Sequence, residues 1–227
     1  MGAREHPGLE VVRVFCAEDG SGGNALGVFV DGGAIADSER QPIATELGFA
    51  ETVFVDDAQR GVMRLFTPLE ELPLAGHPLV GTAWLLRRRG FAAEVLRPPA
   101  GPVPVKFSGE LTSAAAKPEW CPPFEWVQLA SPGDVDAIPE PPAGYGLVGM
   151  WAWLDEESGL VRARVFCPAE GIPEDEATGS AAMLLTARLG REIEIRQGKG
   201  SLIHARPVED GYAEVSGLVV LDPDAQP

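Results

Sequence analysis

Two stretches of the chain, residues 51–90 and 150–190, show the same order of apolar and polar positions. Each begins with an alternating apolar run, continues through an acidic turn, and returns in a second alternating run that ends in Phe-x-Pro. Alternation with period two, bounded by Asp, Glu and Gly, is typical of β-hairpins. We therefore predict two hairpins, which pair Thr52–Asp56 with Val62–Phe66 and Trp151–Leu154 with Leu160–Phe166.

A nearly continuous apolar stretch follows each predicted hairpin. The two stretches predict helices over about Pro78–Arg89 and Ala177–Leu189, and each is followed by a glycine suited to a helix end. A helix that is apolar almost all round is a buried helix. We therefore expect each half of the chain to wrap a curved sheet around one central helix.

The correspondence between the two stretches extends to single residues. It follows a spacing of 100 positions and, after a slip of two residues, a spacing of 98. A duplicated structural unit explains this shared order better than chance does. The matched pairs are Pro68 with Pro168, Glu70 with Glu170, Gly81 with Gly179, and His77 with Asp175.

Three further segments lie outside the repeated units. A helix is predicted over Ser38–Leu47, with Asp37 or Ser38 as its N-cap and Gly48 at its end. Residues 112–144 are rich in proline, alanine and acidic residues, which favours a linker or peripheral stretch over core. The polar tail from Asp222 is expected to fray.

Polar side chains stand near the start of each predicted buried helix. His77 precedes the first helix, and Asp175 precedes the second, whose first turn holds Thr178, Gly179 and Ser180. Free N–H groups and the positive dipole end make helix starts receptive to anions, so two starts in one cleft would hold a carboxylate from two sides. A capping aspartate and a structural histidine are the plainer alternatives, which the matched positions disfavour.

Glu51 is the second kind of chemical candidate. It lies between the apolar segment Leu47–Ala50 and the predicted strand from Thr52. Burial between apolar segments would raise the pKa of this carboxyl group toward the range useful for a general acid or base. A solvated glutamate at a helix–strand junction is the alternative that spacing alone leaves open.

Composition excludes several other classes of function. The formal charge is −16, from 34 acidic and 18 basic residues, so the chain repels phosphate backbones and no nucleic-acid partner is expected. The only basic cluster, Arg87–Arg89, precedes Gly90 as in an ordinary helix end. No apolar run is long enough to span a bilayer, and no secretory signal is visible, so we expect no membrane partner and a cytoplasmic location.

Two familiar cofactor patterns are also rejected. The histidines and the three cysteines show no zinc-site spacing, so no metal is expected. Residues Gly20–Ala25 fit the glycine fingerprint of dinucleotide-binding sites, which must open a helix. The following residues, Leu26–Val30, read as a strand, so we reject a nucleotide site there.

At these residues the chain resembles the PhzF-like (phenazine biosynthesis-like) family, which shares the diaminopimelate epimerase fold. The segments that carry the resemblance occur in family order from near residue 13 to near residue 217. They are Gly23–Leu26, Phe49–Phe54, Phe66–Pro68, Leu74–Pro78, Glu174–Ala181 and Gln197–Gly198. The Ala-Gly-His-Pro and Asp-x-Ala-Thr-Gly-Ser-Ala elements together are a specific signal.

The resemblance implies an α+β fold of two pseudo-symmetric lobes, each a barrel-like mixed sheet around a central buried helix. We assign residues 1–112 to the N-terminal lobe and 113–227 to the C-terminal lobe, with a last strand that can cross back. The resemblance implies Glu51, His77 and Asp175 as catalytic residues in the cleft between the lobes. It further implies substrate-binding residues at Gly76, Thr178, Gly179 and Ser180.

The implied function is a cofactor-independent isomerase or epimerase that moves a proton on a small carboxylate, with Glu51 as general acid/base. A homodimer is a candidate assembly, since members of the family are often dimeric. A non-catalytic carboxylate-binding protein on the same fold, or a lyase step with the same acid/base pair, are the alternatives. The family's usual Gly-Arg-Pro-Ser element after Gln-Gly reads differently from Gly200 onward, so the substrate is left open.

Overall fold

The structure, a computed structural model, describes residues 6–222 of the 227-residue chain. The part of the predicted frayed tail beyond Asp222 lies outside the described residues. The described residues form four α-helices: α1 (Asp37–Leu47), α2 (Gly76–Arg88), α3 (Pro132–Asp136) and α4 (Gly179–Leu189). The strands are β1 (Leu9–Cys16), β2 (Gly22–Phe29), β3 (Glu51–Asp57), β4 (Val62–Phe66), β5 (Glu71–Leu72), β6 (Val95–Leu96), β7 (Val103–Ser108), β8 (Leu111–Ala116), β9 (Glu125–Gln128), β10 (Val148–Asp155), β11 (Leu160–Cys167), β12 (Ile172–Asp175), β13 (Ile193–Gln197), β14 (Ser201–Pro207) and β15 (Ala213–Leu221).

The strands join in one mixed sheet whose main path is β5-β4-β3-β2-β1-β15-β14-β13-β11-β10-β9. The remaining strands attach to this path, with β12 on β11 and with β8, β7 and β6 in succession from β15. The last strand, β15, therefore lies between β1 from the start of the chain and β14 from its end. This arrangement establishes the α+β class and a large mixed sheet.

Both predicted hairpins are confirmed, and they repeat the same pairings. In each, the first strand runs parallel to an earlier strand, β3 beside β2 and β10 beside β9. The second strand of each pairs with a short strand that leads toward a helix, β4 with β5 and β11 with β12. The pairing register shifts at equivalent places, between Val55 and Asp57 and between Trp153 and Asp155.

The two predicted central helices are confirmed as buried, with ends that differ slightly from the prediction. Helix α2 begins at Gly76, so His77 lies inside its first turn and does not precede it. Pro78 fits that turn because the first helical residues need no N–H partner. Helix α4 begins at Gly179, two residues after the predicted start, because Thr178 is still extended, with φ −113° and ψ 92°.

The predicted third helix is also present, but its N-cap prediction is wrong. Ala36 occupies the N-cap, and no side chain caps the helix there. Asp37 is the first helical residue, and its carboxylate instead contacts Arg64 at 2.9 Å and Arg40 at 3.5 Å. The helix ends as predicted at Gly48, whose φ of 67° is the left-handed conformation that glycine adopts without strain.

The prediction that residues 112–144 are not core is wrong for β8 and for Trp126 of the edge strand β9. Strand β8 is buried from Thr112 to Ala116 and pairs with both β7 and β15. Strand β9 completes the far end of the sheet, where Trp126 Nε1 donates to Ala181 O of α4 over 3.1 Å. Alanine, serine and threonine carry little hydrophobic signal, so their burial follows from a partner strand about a hundred residues away.

Two other sequence interpretations are confirmed. Residues Gly22–Phe29 are strand β2, so the glycine-rich segment does not open a helix. The arginine cluster stands at the end of α2, where Arg87 covers the Phe107 ring at 4.3 Å and Arg89 Nε donates to Glu10 at 3.0 Å. Within the described residues, no helix is both long enough and apolar enough to cross a bilayer.

The burial of β8 can be tested by placing a charge in it. Ala114 has no exposed surface and pairs with Val105 and Val215 on its two sides. We expect Ala114→Asp to lower the free energy of unfolding by about 3–5 kcal/mol, because a buried charge has no partner there. Ser108→Asp, on the exposed end of β7, should change it by less than about 0.5 kcal/mol. Urea denaturation measures the stability of both variants, and equal losses of stability would contradict the burial of β8.

Candidate active site

Glu51 is the first residue of β3 and faces the core. It pairs with Leu26 of β2 across a parallel ladder. Because side chains alternate along a strand, Glu51 shares its face with Val53 and Val55, which belong to the main hydrophobic cluster around α2. Only 6% of Glu51 is exposed. The solvated alternative for this residue is therefore not what the structure shows.

Glu51 and His77 form a close buried pair. Glu51 Oε2 lies 3.4 Å from His77 Nε2, and neither atom has an aligned hydrogen-bond partner among the described residues. Burial lowers the pKa of His77 to about 3, so its imidazole is neutral at physiological pH. Burial, and then the charges of Asp175 and Glu170, raise the pKa of Glu51 well above its usual value. Because the imidazole of His77 is neutral, the contact between the two groups is not an ion pair.

Asp175 ends β12 and belongs to the same electrostatic cluster as Glu51. Its Oδ1 accepts from Asn24 Nδ2 at 2.6 Å, and its Oδ2 accepts from Thr178 Oγ1 at 2.5 Å. Burial raises the pKa of Asp175 to about 6, although these two hydrogen bonds act in the opposite direction. The capping alternative for Asp175 does not apply, because the residue at the N-cap of α4 is Thr178.

The starts of α2 and α4 touch each other through two glycines. A Cβ added at Gly76 would overlap the carbonyl carbon of Gly179, and one added at Gly179 would lie 2.8 Å from the carbonyl carbon of Gly76. The first intrahelical hydrogen bonds begin at Leu79 N and Ala182 N. The amide groups ahead of them in both helices therefore lie close together, an arrangement that is chemically suited to an anion.

The structure thus brings together every residue predicted for the site. Gly76, Gly179 and Ser180 lie at the junction of the two helices, and Ser180 is 4% exposed. Thr178 differs from the others, because its hydroxyl donates to Asp175 and its N–H donates to Gln197 Oε1. The glycine contact also explains why no larger residue fits at the centre of the cluster.

Three buried residues of this site were not predicted as site residues. Asn24 and Gln197 hold Asp175 and Thr178 by hydrogen bonds, and Glu170 contributes a further carboxyl group. Burial, with the charges of Asp175 and Glu70, raises the pKa of Glu170 to about 7. The sequence repeat, which matches Glu70 with Glu170, is the one feature of the sequence that indicated Glu170. Among residues 6–222, no three His, Cys, Asp or Glu side chains are grouped to hold a metal ion.

Comparison with known proteins places the chain in a family. The sequence profile of the family "Phenazine biosynthesis-like protein" (PhzC-PhzF) matches residues 12–140. The chain is 31% identical over 216 residues to trans-2,3-dihydro-3-hydroxyanthranilate isomerase of Pseudomonas fluorescens, and the alignment covers 78% of each protein. This chain belongs to the PhzF family. The prediction of an isomerase of this family is thereby confirmed.

Solved structures support the fold. A putative phenazine biosynthesis PhzC/PhzF protein from Clostridium difficile superposes with a TM-score of 0.77 at 22% identity, over 96% of this chain and 98% of that one. A hydroxyproline epimerase from Agrobacterium vitis superposes with a TM-score of 0.61 at 11% identity, over 94% of this chain and 88% of that one. At these identities the likeness concerns the fold alone, and it fits the predicted epimerase-like architecture.

The glycine contact predicts a steric effect at the site. Gly76→Ala should lower the free energy of unfolding by about 1–3 kcal/mol, because the new methyl group overlaps the α4 backbone. Gly133→Ala is a matched control, since it lies in α3 and its Cβ would meet its nearest neighbour at 3.6 Å. Thermal and urea unfolding compare the two variants. A Gly76→Ala protein as stable as Gly133→Ala would show that the two helix starts do not touch.

The neutral state of His77 predicts a pH dependence of stability. The folded pKa of about 3 lies below the ordinary 6.5, so unfolding takes up a proton between these values. His77 therefore costs stability as pH falls below 6.5, by at most about 1.4 kcal/mol per pH unit. We expect the free energy of unfolding of His77→Gln, relative to that of the native chain, to rise by up to this amount per pH unit as the pH falls from 6.5 to 5. Urea unfolding at each pH measures the difference. Thr82→Val, also buried in α2, should show a pH-independent difference.

Proposed function

We propose that the protein is a cofactor-independent isomerase that moves a proton on a small carboxylate substrate, with Glu51 as the general acid/base. The carrying observation is the buried Glu51–His77 contact of 3.4 Å beside the joined starts of α2 and α4. A carboxyl group with a raised pKa can both take and return a proton near neutral pH. The amide groups of the helix starts supply the position for the substrate carboxylate.

The proposed reaction needs no co-reactant. The ionised form of Glu51 takes a proton from one carbon of the substrate, and the electron pair of that C–H bond delocalises through a conjugated C=C bond of the substrate toward its carboxylate. The amide groups at the joined helix starts stabilise the resulting anion. Glu51 then returns the proton at another carbon, so the product is an isomer and the enzyme is unchanged.

His77 and Asp175 are the proposed polar partners of Glu51. The neutral imidazole of His77 can accept a hydrogen bond from protonated Glu51 or donate one to its carboxylate, so it contacts both states of the acid/base. Asp175, on the other side of the cluster, raises the pKa of Glu51 through its charge. Gly76, Gly179 and Ser180 are the proposed contacts of the substrate carboxylate.

We further propose that the site lies between two lobes, residues 1–112 and 113–227, each a barrel-like sheet around α2 or α4. The repeated pairings of the two hairpins support this division, although the boundary at 112 falls inside β8. The site is nearly closed, since Glu51 is 6%, His77 1% and Asp175 4% exposed. Substrate entry would therefore require the two sides to move apart. A homodimer and a cytoplasmic location remain predictions.

Replacement of Glu51 tests the proposal. The probe is trans-2,3-dihydro-3-hydroxyanthranilate, the compound in the names of several relatives, with a panel of small cyclic and amino carboxylates. We expect the native chain to incorporate deuterium from D₂O at a carbon of its substrate, and Glu51→Gln to lower the rate about 10²–10⁴-fold. Glu119→Gln, on the exposed turn before Trp120, serves as the matched control.

The outcomes separate the candidate functions. Normal exchange by a folded Glu51→Gln variant would show that another group moves the proton. Tight binding of a carboxylate by the native chain with no exchange would favour the non-catalytic binding protein. Circular dichroism and thermal unfolding establish that the variant is folded before its rate is interpreted.

A further inference from the structure

Gln197 joins two residues of the site by three hydrogen bonds. It is the last residue of β13 and is 1% exposed. Its Nε2 donates to Asp175 O and to Thr178 Oγ1, each over 2.8 Å, and its Oε1 accepts from Thr178 N over 3.2 Å. A backbone carbonyl can only accept and a backbone N–H can only donate, so these two groups fix which end of the amide is which.

The direction of these bonds fixes the hydroxyl of Thr178. Because Gln197 Nε2 donates to Thr178 Oγ1, the single hydroxyl hydrogen of Thr178 is directed to Asp175 Oδ2, 2.5 Å away. Asn24 is oriented in the same way, since its Nδ2 donates to Ala177 O at 3.2 Å as well as to Asp175 Oδ1 at 2.6 Å. Both oxygens of Asp175 therefore face donors, which is the arrangement that an ionised carboxylate requires.

The surroundings of Asp175 act against that ionised state. Burial is the main opposing factor, and the charges of Glu176 and Glu174 add to it. The carboxyl groups of Glu51 and Glu170 belong to the same cluster, since the charge of Asp175 raises the pKa of each. The thiol of Cys167 also interacts with this cluster. The state of Asp175 at neutral pH thus depends on the donors directed at it.

We propose that Gln197 is a positioning residue that, through Thr178, keeps Asp175 ionised and fixed in orientation. In this role the Thr178 hydroxyl donates to Asp175 and does not contact the substrate. The hydrogen-bond geometry by itself supports an ionised Asp175, whereas a role for this charge in catalysis rests on the proposed function. An ionised Asp175 near Glu51, whose pKa is raised, gives the site one group that carries a charge and one that can exchange a proton.

The side-chain carboxyl of Asp175 can be titrated directly by ¹³C NMR of aspartate-labelled protein, with Asp175→Asn to assign the signal. We expect the native signal to be that of a carboxylate at pH 7. Gln197→Met and Thr178→Val should each raise its midpoint by about one pH unit or more, a tenfold change in the proton affinity. Thr178→Ser retains the hydroxyl donor and should leave the midpoint within about 0.3 units of the native value.

A protonated Asp175 at pH 7 in the native chain, or a midpoint that Gln197→Met leaves unchanged, would overturn the proposal. If Gln197→Met does not fold, the contrast between Thr178→Val and Thr178→Ser decides it, because an equal midpoint in the two would remove the role of the hydroxyl. The pH profile of deuterium exchange by the same variants should move with the midpoint. Shifted midpoints without any exchange would refute the proposed function and leave this inference standing.

Discussion

The contact between Gly76 and Gly179 is the constraint on which the site depends. A side chain on either residue would overlap the backbone of the other, so only glycine lets the starts of α2 and α4 meet. His77 follows one glycine directly, and Thr178 precedes the other, so the contact gathers the polar groups of both helices at one point. The same contact places two sets of helix-start amide groups side by side, which neither helix could do alone.

Within this enclosed point, similar carboxyl groups acquire different properties. Burial raises the pKa of Glu51, whose Oε2 makes no aligned hydrogen bond with the described part of the chain. Burial acts on Asp175 in the same direction, but there Asn24 and Thr178 donate to its two oxygens and oppose the shift. Burial thus acts on both carboxyl groups, whereas hydrogen bonds oppose its effect on the pKa at Asp175 alone, and such differences in environment are how acid/base assignments arise in enzymes.

The centre of the sheet is held together by strands that are distant in the chain. Strand β15 pairs with β1, β14 and β8, so residues from the start, the middle and the end of the sequence support one another. The duplicated hairpins lie on either side of this centre, where β3 positions Glu51 and β12 positions Asp175.

The sequence by itself determined the repeated elements and the candidates for the chemistry. Period-two alternation gave the hairpins, continuous apolar stretches gave buried α2 and α4, and the matched spacing raised His77 and Asp175 above ordinary polar residues. Only the tertiary structure decided that β8 is core and that the Thr178 hydroxyl donates to Asp175. It also decided that Asn24 and Gln197 donate hydrogen bonds to Asp175. The burial of β8 and the contacts of Asn24 and Gln197 arise from pairing and hydrogen bonds between residues far apart in the chain, for which local apolar patterns carry no signal.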